Sequence, residues 1–466
     1  MKELVLLLFA FLPVTVLAVY YGVPVNIREL LVLAVSIVFF ACHGLSAFLC
    51  ITGIILFSYC MGRGLEKYPK KQLLIPSLVL IFSLLFVMKY LNDWADLGLV
   101  VPIGLSYYSL MAAGYLIEVC RGNEPAEQNL LHYAVFLMFF LQASAGPIGR
   151  SRQLLCQWRE GISFDGNKVR TGFIMLLMGL VEKFVLADNL AKITNGIFGG
   201  EITEEGLVLV AGILIYAVRI YFDFAGYSLI AIGGAKMLGI TLMENFHAPY
   251  HATSIKEFWR RWHISLSSWF KDYLYIPLGG SRVSSLRIDL NLLLVFLVSG
   301  LWHGTAAGFL IWGALHGLYQ IVGRHTLSFR ENLRKRLHMT GKISEIGRRF
   351  LVFILVAVAF LPFQVTEPAK LFSVLPRLFV WNPSVFVDGT FLSYGVSIVT
   401  IVCCAIFTGI YFAVDSYHEK RNFYEKMAET SLPQRLGWYL LLFTVLLLLG
   451  VYGSEYNAAN FIYGQF

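Results

Sequence analysis

The sequence predicts an all-helical polytopic membrane protein, and three observations carry that assignment. Of 466 residues, 58% are hydrophobic and only 14% are charged. Mean hydropathy is +0.69, whereas a soluble chain of this length needs far more polar surface. The apolar runs have the length of spanning helices, not of the roughly ten-residue alternating strands of a membrane barrel.

In chain order the apolar segments are 4–21, 29–42, 46–61, 72–89, 98–119, 130–146, 170–187, 206–221, 224–240, 288–302, 305–323, 350–366, 392–414 and 436–452. The first, in MKELVLLLFAFLPVTVLAVYYG, also fits a signal peptide ending at Ala18, although the remaining segments span either way. Lysine and arginine concentrate in a few connections. Residues 62–71 carry Arg63, Lys67, Lys70 and Lys71, and 324–349 carries eight basic residues against Glu331 and Glu345. Residues 150–170 and 415–435 are also basic, whereas 195–205 has only Glu201, Glu204 and Glu205. The positive-inside rule places the basic connections in the cytoplasm.

Simple alternation holds for the last third of the chain and fails in the middle. With 121–128 and 150–170 both inside, 130–146 makes no full crossing. Two crossings at 206–240 would carry the basic region 254–287 outside. Such a parity failure predicts re-entrant segments, which survive only where protein or a water-filled cavity satisfies the backbone. The expectation is a bundle around a central, partly hydrated cavity.

Net charge is +8, from 37 basic and 29 acidic residues, and no soluble basic domain is present to hold a nucleic acid. The charge reports orientation and contact with the lipid bilayer. Seven cysteines lie in or beside apolar segments without a C-x-x-C pair, which reads as small buried side chains rather than a redox or metal site.

Residues 254–276, SIKEFWRRWHISLSSWFKDYLYI, have a different pattern. Ile255, Phe258, Trp259, Trp262, Leu266, Trp269, Phe270 and Tyr273 form an apolar stripe at helical spacing, opposite Glu257, Arg260, Arg261, Lys271 and Asp272. Ser254 and Glu257 fit a capping box. The pattern predicts one interfacial helix lying flat on the cytoplasmic leaflet, with His263 at the edge of its stripe.

Among the histidines, His247 and His251 have helical metal-ligand spacing, but Pro249 between them argues against a helix, and no metal is expected. Thirteen residues separate His303 from His316, about 19 Å along one helix, too far for a shared metal or dyad. No HExxH, GxSxG, P-loop or GxGxxG context is present, so zinc protease, serine hydrolase and nucleotide-hydrolysing functions have no support. His303 follows a segment of fifteen residues, 288–302, which rises only about 22 Å against a hydrocarbon core of roughly 30 Å. Gly304 then lets the chain turn back, placing His303 at the apex of a buried hairpin, 288–323. Intramembrane ionisable groups are costly and need a partner or a task. A buried histidine satisfied by a backbone carbonyl and a general base facing a cavity are both open on these residues alone.

Several stretches, taken together, resemble a known family. They are IYFDFAGYS (220–228), ENFHAPY (244–250), FWRRWHISLSSWFKDYLYIPLGGSR (258–282), SGLWHG (299–304) and FIYGQF (461–466), with VPIGLSYYSL (101–110), AGPIGR (145–150) and EKFVLADNLA (182–191). They resemble membrane-bound O-acyltransferases of the alginate O-acetylation type over nearly the whole chain. The resemblance implies about eleven transmembrane helices with re-entrant and interfacial segments around a through-membrane tunnel. It implies one membrane domain with N-terminal helices over 1–150, a catalytic core over 151–349 and C-terminal helices over 350–466. It assigns the superfamily histidine to His303 and the second functional position to His263. Arg260, Arg261, Trp302, Asn245 and Asp223 fall in its motifs as donor-binding or tunnel residues. Arg219 and Leu229 depart from the family pattern, which has glutamine and aspartate there, as do Gln364 and Gly464.

The implied reaction carries an acetyl group from a cytosolic thioester, acetyl-CoA or an acyl carrier, across a bacterial cell membrane to a polysaccharide, with no bound cofactor. An extracytoplasmic SGNH-type partner would complete the transfer. D-alanyl transfer to teichoic acid from a carrier protein is the nearest rival, and a channel for acyl groups or glycans without chemistry is a rival of another class.

Overall fold

The computed structural model describes residues 17–69, 71–338, 341–453 and 456. The possible signal peptide and first apolar segment fall largely outside the described residues, as do FIYGQF and Gly464. Among the described residues, eight helices are long and apolar enough to cross a membrane: Val25–Cys42, Leu45–Lys67, Lys71–Trp94, Leu207–Met237, Ser285–His303, Gly341–Gln364, Ile398–His418 and Leu432–Leu449. Helices Leu105–Cys120, Leu130–Met138 and Ala307–His325 and a continuous run over 166–198 complete the bundle, and no strand occurs among the described residues.

Burial divides the bundle into rim and centre. On rim helices, Leu49, Leu56, Val399, Val402, Ile406 and Leu448 are exposed, as a lipid-facing surface must be. In the centre, Tyr107, Tyr108, Ala112, Ala113, Tyr115 and Leu116 are all buried, so that helix is enclosed by protein on every side. Residues 130–146 form two short helices, Leu130–Met138 and Phe140–Ala143, broken at Phe139. Tyr133, Val135, Phe136, Leu137 and Phe139 are buried there, which is the enclosure that re-entry requires.

Three expectations need correction. The segments 206–221 and 224–240 are one helix, Leu207–Met237, of 31 residues. Nothing in IYFDFAGYS stops it, because its polar atoms bond laterally to other helices and leave the backbone ladder intact. One crossing here restores alternation to the positive-inside pattern, leaving two returning elements, 130–143 and the 285–325 hairpin. That hairpin has a longer first arm than predicted: Ser285–His303 has 19 residues, about 28 Å, because SLRID joins the helix below the apolar run.

The third correction concerns 254–276, which is not one helix lying on the membrane surface. It comprises Ile255–Arg261, a break at Trp262 and His263, Ile264–Phe270, and a π turn at Lys271–Tyr275. Ser254 caps the first piece by accepting from the Glu257 N–H at 3.1 Å, but Glu257 returns its bond to Thr253, one residue before the cap. The apolar stripe faces protein instead of lipid: Phe258, Trp262, Leu266, Trp269 and Phe270 are buried. His263 packs on Phe224, with ring centroids 4.6 Å apart, about 20 Å along the 207–237 helix from its C-terminal end. The segment therefore dives into the bundle.

The 166–198 and 207–237 helices approach at two pairs of glycines. A Cβ on Gly172 would lie 2.5 Å from Gly233 O, and one on Gly179 would lie 2.6 Å from Gly226 O. The reverse distances are 2.6 Å from Gly233 to Gly172 O and 2.8 Å from Gly226 to Gly179 O. Small residues at helical spacing let backbones touch where lipid supplies no hydrophobic drive.

Gly226→Leu should therefore destabilise the protein by at least the roughly 1–3 kcal/mol of an overpacked core. Gly409→Leu, at a site with nothing within 4 Å, should be neutral. Thermal unfolding in detergent reads both, and equal midpoints would refute the contact's importance. For orientation, cysteines are introduced into a cysteine-free background. Arg334→Cys should resist impermeant thiol reagents in intact cells, whereas Ser384→Cys should be labelled; the reverse result inverts the topology.

Candidate functional site

The break inside 254–276 sets the first candidate side chain. His263 has φ 43° and ψ 54°, a left-handed conformation that a residue with a Cβ rarely adopts. A neighbouring irregular stretch of chain holds it there. Ile264 N–H donates to Asn245 O at 2.9 Å, and His247 N–H donates to Arg261 O at 2.9 Å. Asn245 Oδ1 accepts from the Ser265 hydroxyl at 2.6 Å, and its amide donates to Ser228 Oγ at 3.1 Å. Buried Asn245 thus ties the turn at His263 to the 207–237 helix.

His303 closes the Ser285–His303 helix and is 2% exposed; His263 is 1% exposed. Trp302 packs against both, its centroid 4.9 Å from His303 and 6.2 Å from His263. Trp302 is fixed by donating from Nε1 to Ser106 O at 3.3 Å. Trp312 and Phe363 each lie 5.1 Å from His303, centroid to centroid, completing an aromatic enclosure.

His316 is nearer to His303 than spacing along a single helix allowed. The hairpin folds it back, so that Trp312 lies 5.1 Å from each imidazole. His316 Nδ1 accepts from Trp259 Nε1 at 3.2 Å, and Trp259 also packs on Phe296. Trp259 therefore serves the protein interior, not a membrane-facing stripe.

Asp223 sits one residue before Phe224 and turns to the 166–198 helix, where Lys183 Nζ donates to it at 2.6 Å and to Asp188 at 2.7 Å. Beside it, Arg219 donates to Thr194 and Asn195, so the departure from glutamine there is absorbed by an inter-helix bond. Arg261 spans Glu257 at 2.7 Å and Glu419 at 2.6 Å, fastening the diving segment to the Ile398–His418 helix. Arg260 is exposed. Neither arginine meets the histidine pair. A cavity of about 470 Å³ opens instead among Glu118, Arg121, Arg150, Arg152, Asp272 and Tyr273. Arg150 and Arg121 lie over the Tyr273 ring at 4.7 and 5.3 Å.

Two residues escaped the sequence reading. Lys89 is buried and donates to Trp302 O at 2.7 Å and His303 O at 3.1 Å. The adjacent Tyr90 hydroxyl donates to Leu301 O. The available signal was a lone lysine at the end of an apolar run, which in a membrane marks a functional position by default.

Fold and site together define an integral membrane protein that encloses two histidines, from separate segments, around one indole. Residues 123–361 match the membrane-bound O-acyltransferase family, and the chain belongs to it. It is 37% identical to the probable alginate O-acetylase AlgI of Pseudomonas aeruginosa over 338 residues, covering 68% of this chain and 64% of that protein. The chain thus accounts for slightly under two-thirds of that relative's length. The peptidoglycan O-acetyltransferase of Helicobacter pylori is 32% identical over 366 residues, with 68% and 69% covered. The teichoic acid D-alanyltransferase of Bacillus subtilis is 29% identical over 239 residues, with 47% and 58% covered.

His247 and His251 find different partners, because Pro249–His251 is a single 3₁₀ turn. His251 meets Arg349 and Glu419. His247 joins Glu244 and His418, whose potential ligand atoms lie within 4.8 Å of one another. His418 Nδ1 accepts from Phe423 N–H at 3.3 Å, which leaves the neutral ring's proton on Nε2, facing Glu244 at 3.8 Å. That donor set suits charged hydrogen bonds better than a metal, since Nε2 then offers no lone pair. The imidazoles of His247 and His418 beside it hold Glu244 down at about 2, and Glu244 in turn raises His247 above its ordinary 6.5.

The signs give a stability window. Glu244 contributes above its ordinary 4.5 and loses that contribution as pH falls towards 2, whereas His247 contributes below 6.5 and loses it as pH rises through its raised value. Thermal midpoints of wild type and Glu244→Gln should therefore differ most between about pH 4.5 and 6.5 and converge on either side. A difference that is constant across pH would rule out the pairing.

Proposed function

We propose that this chain is an O-acyltransferase that moves an acetyl group from a cytosolic thioester to a hydroxyl acceptor, for O-acetylation of an extracellular or cell-wall polysaccharide. The observation that supports it best is His263, held left-handed, with its ring and that of His303 both packed against Trp302. Unfavourable backbone conformations persist where the surroundings over-determine them, and they cluster at sites of chemistry. The names of the alginate and peptidoglycan relatives favour acetyl as the group and polysaccharide as the acceptor.

In this reading His303 is the general base. It takes the proton of the acceptor hydroxyl as that oxygen attacks the thioester carbonyl. The carbon–sulfur bond then breaks, the oxygen ester forms, and the thiolate leaves and is protonated. His263 orients the substrate or polarises the carbonyl. A low-dielectric aromatic wall strengthens both effects and excludes water that would hydrolyse the donor. The donor, acetyl-CoA or an acyl-carrier thioester, approaches from the basic cytoplasmic face. The exposed Arg260 and the arginine-lined cavity at Tyr273 would attract its phosphates there. An SGNH-type partner outside a bacterial cytoplasmic membrane would complete the transfer.

His303→Ala should lower the O-acetyl content of the host's surface polysaccharide by about 10²–10⁴-fold at matched membrane abundance, the usual cost of losing a general base. His263→Ala should also impair transfer while leaving the thermal midpoint unchanged. A passive channel would tolerate His303→Ala, so undiminished acetylation in that variant rejects the reading.

A further inference from the structure

The end of the Ser285–His303 helix lacks the usual local solution for its last carbonyls. Four C=O groups at a helix C-terminus have no partner within the helix. Here the chain leaves His303 through an extended Gly304, not a left-handed capping turn. Gly304 N–H reaches Gly300 O at 3.4 Å and Leu301 O at 3.1 Å. The remaining donors come from another helix: Tyr90 to Leu301 O, and Lys89 to Trp302 O and His303 O at 2.7 and 3.1 Å. Each of the four terminal carbonyls thus has a donor, and the last two accept from one ammonium group.

That arrangement has unusual local geometry on the donor side as well. Lys89 and Tyr90 lie in a π turn, Val87–Leu91, within the Lys71–Trp94 helix. π turns are rare and occur often at functional positions. Tyr90 is itself fixed between Phe86 and Trp94, with centroids 5.6 and 5.7 Å away. A lysine buried to this degree is expensive to desolvate. Placed on the negative end of a helix dipole, it gains a favourable field in addition to its hydrogen bonds.

We propose that Lys89 is a positioning residue for His303: with Tyr90 it clamps the carbonyl end of the hairpin's first arm and so fixes the imidazole that terminates it. The inference rests on His303 acting in transfer. Neither Lys89 nor Tyr90 lies within 123–361, the stretch that matches the family. Misplacement of a reacting group by about 1 Å can cost on the order of 100-fold in rate. Loss of the clamp should therefore act on turnover more than on donor affinity.

The test uses full-length protein in its host, with the O-acetyl content of the surface polysaccharide as readout. Lys89→Met should lower acetylation by about 10- to 100-fold at matched membrane abundance, and Lys89→Arg, which keeps charge and donors, should recover most of it. On purified protein with acetyl-CoA, kcat should fall while KM stays within about threefold of wild type. Adding Lys89→Met to His303→Ala should cost nothing further, because the two act through one group. If Lys89→Met does not accumulate, Tyr90→Phe removes one hydroxyl of the same clamp and should lower acetylation several-fold. Wild-type acetylation in the accumulating variant, or a loss that Lys89→Arg does not recover, overturns the positioning role. Undiminished acetylation in His303→Ala instead overturns the catalytic reading on which it rests.

Discussion

The backbones of the 166–198 and 207–237 helices touch at Gly172 against Gly233 and at Gly179 against Gly226, and this contact sets the register of the central bundle. Both pairs are seven residues apart on each helix, so the two contacts fall on one face of each and act together. The 207–237 helix then presents Asp223 to Lys183, Phe224 to His263 and Ser228 to Asn245. A slip of one helical turn, about 5.4 Å, would separate all three at once. The position of the histidine pair is thus inherited from a contact between residues with no side chains.

Around that register, the interior uses aromatic side chains for two purposes. Their area fills the space between irregular segments, and their polar tips find acceptors in the backbone carbonyls of neighbouring helices. Trp269 donates to Leu110 O at 2.9 Å, Trp302 to Ser106 O at 3.3 Å, and Tyr250 to Ala217 O. Each bond crosses from a diving or returning segment to a regular helix. Non-helical backbone at such depth survives only when protein meets its polar groups.

Hydropathy and charge made most spans and the basic loops legible, because length and composition decide what a bilayer accepts. They could not show whether 206–240 is one helix or two, since an apolar run of that length allows either. The stripe through Phe258, Trp262 and Trp269 predicts a face turned from water, but a stripe does not say whether lipid or protein covers it, and here protein does. The break at His263 had no glycine or proline to announce it; it exists because Asn245 holds it. Spacing along one helix misjudged His316, which the hairpin returns towards His303. The motif resemblance marked His263, His303, Trp302 and Asn245, and the structure gathers these four. It leaves Arg260 and Arg261 apart, one in solvent and one in a structural ion-pair network. Lys89 was overlooked because its helix matched no motif.

The Lys183, Asp188 and Asp223 cluster also bears on how the chain enters the membrane. Alone, the 166–198 helix would offer Glu182, Lys183 and Asp188 to hydrocarbon, each at a cost of a few kcal/mol at mid-bilayer by insertion scales. Lys183 also serves Asp223, the one carboxylate of the next helix, which emerges from the ribosome only after the short 199–206 connection and half of that helix. The first segment is thus a poor substrate for release into lipid by itself and a good one once its successor lies beside it. For these two segments the unit of biogenesis is the pair: the protein-conducting channel must hold the earlier helix until the later one has been made.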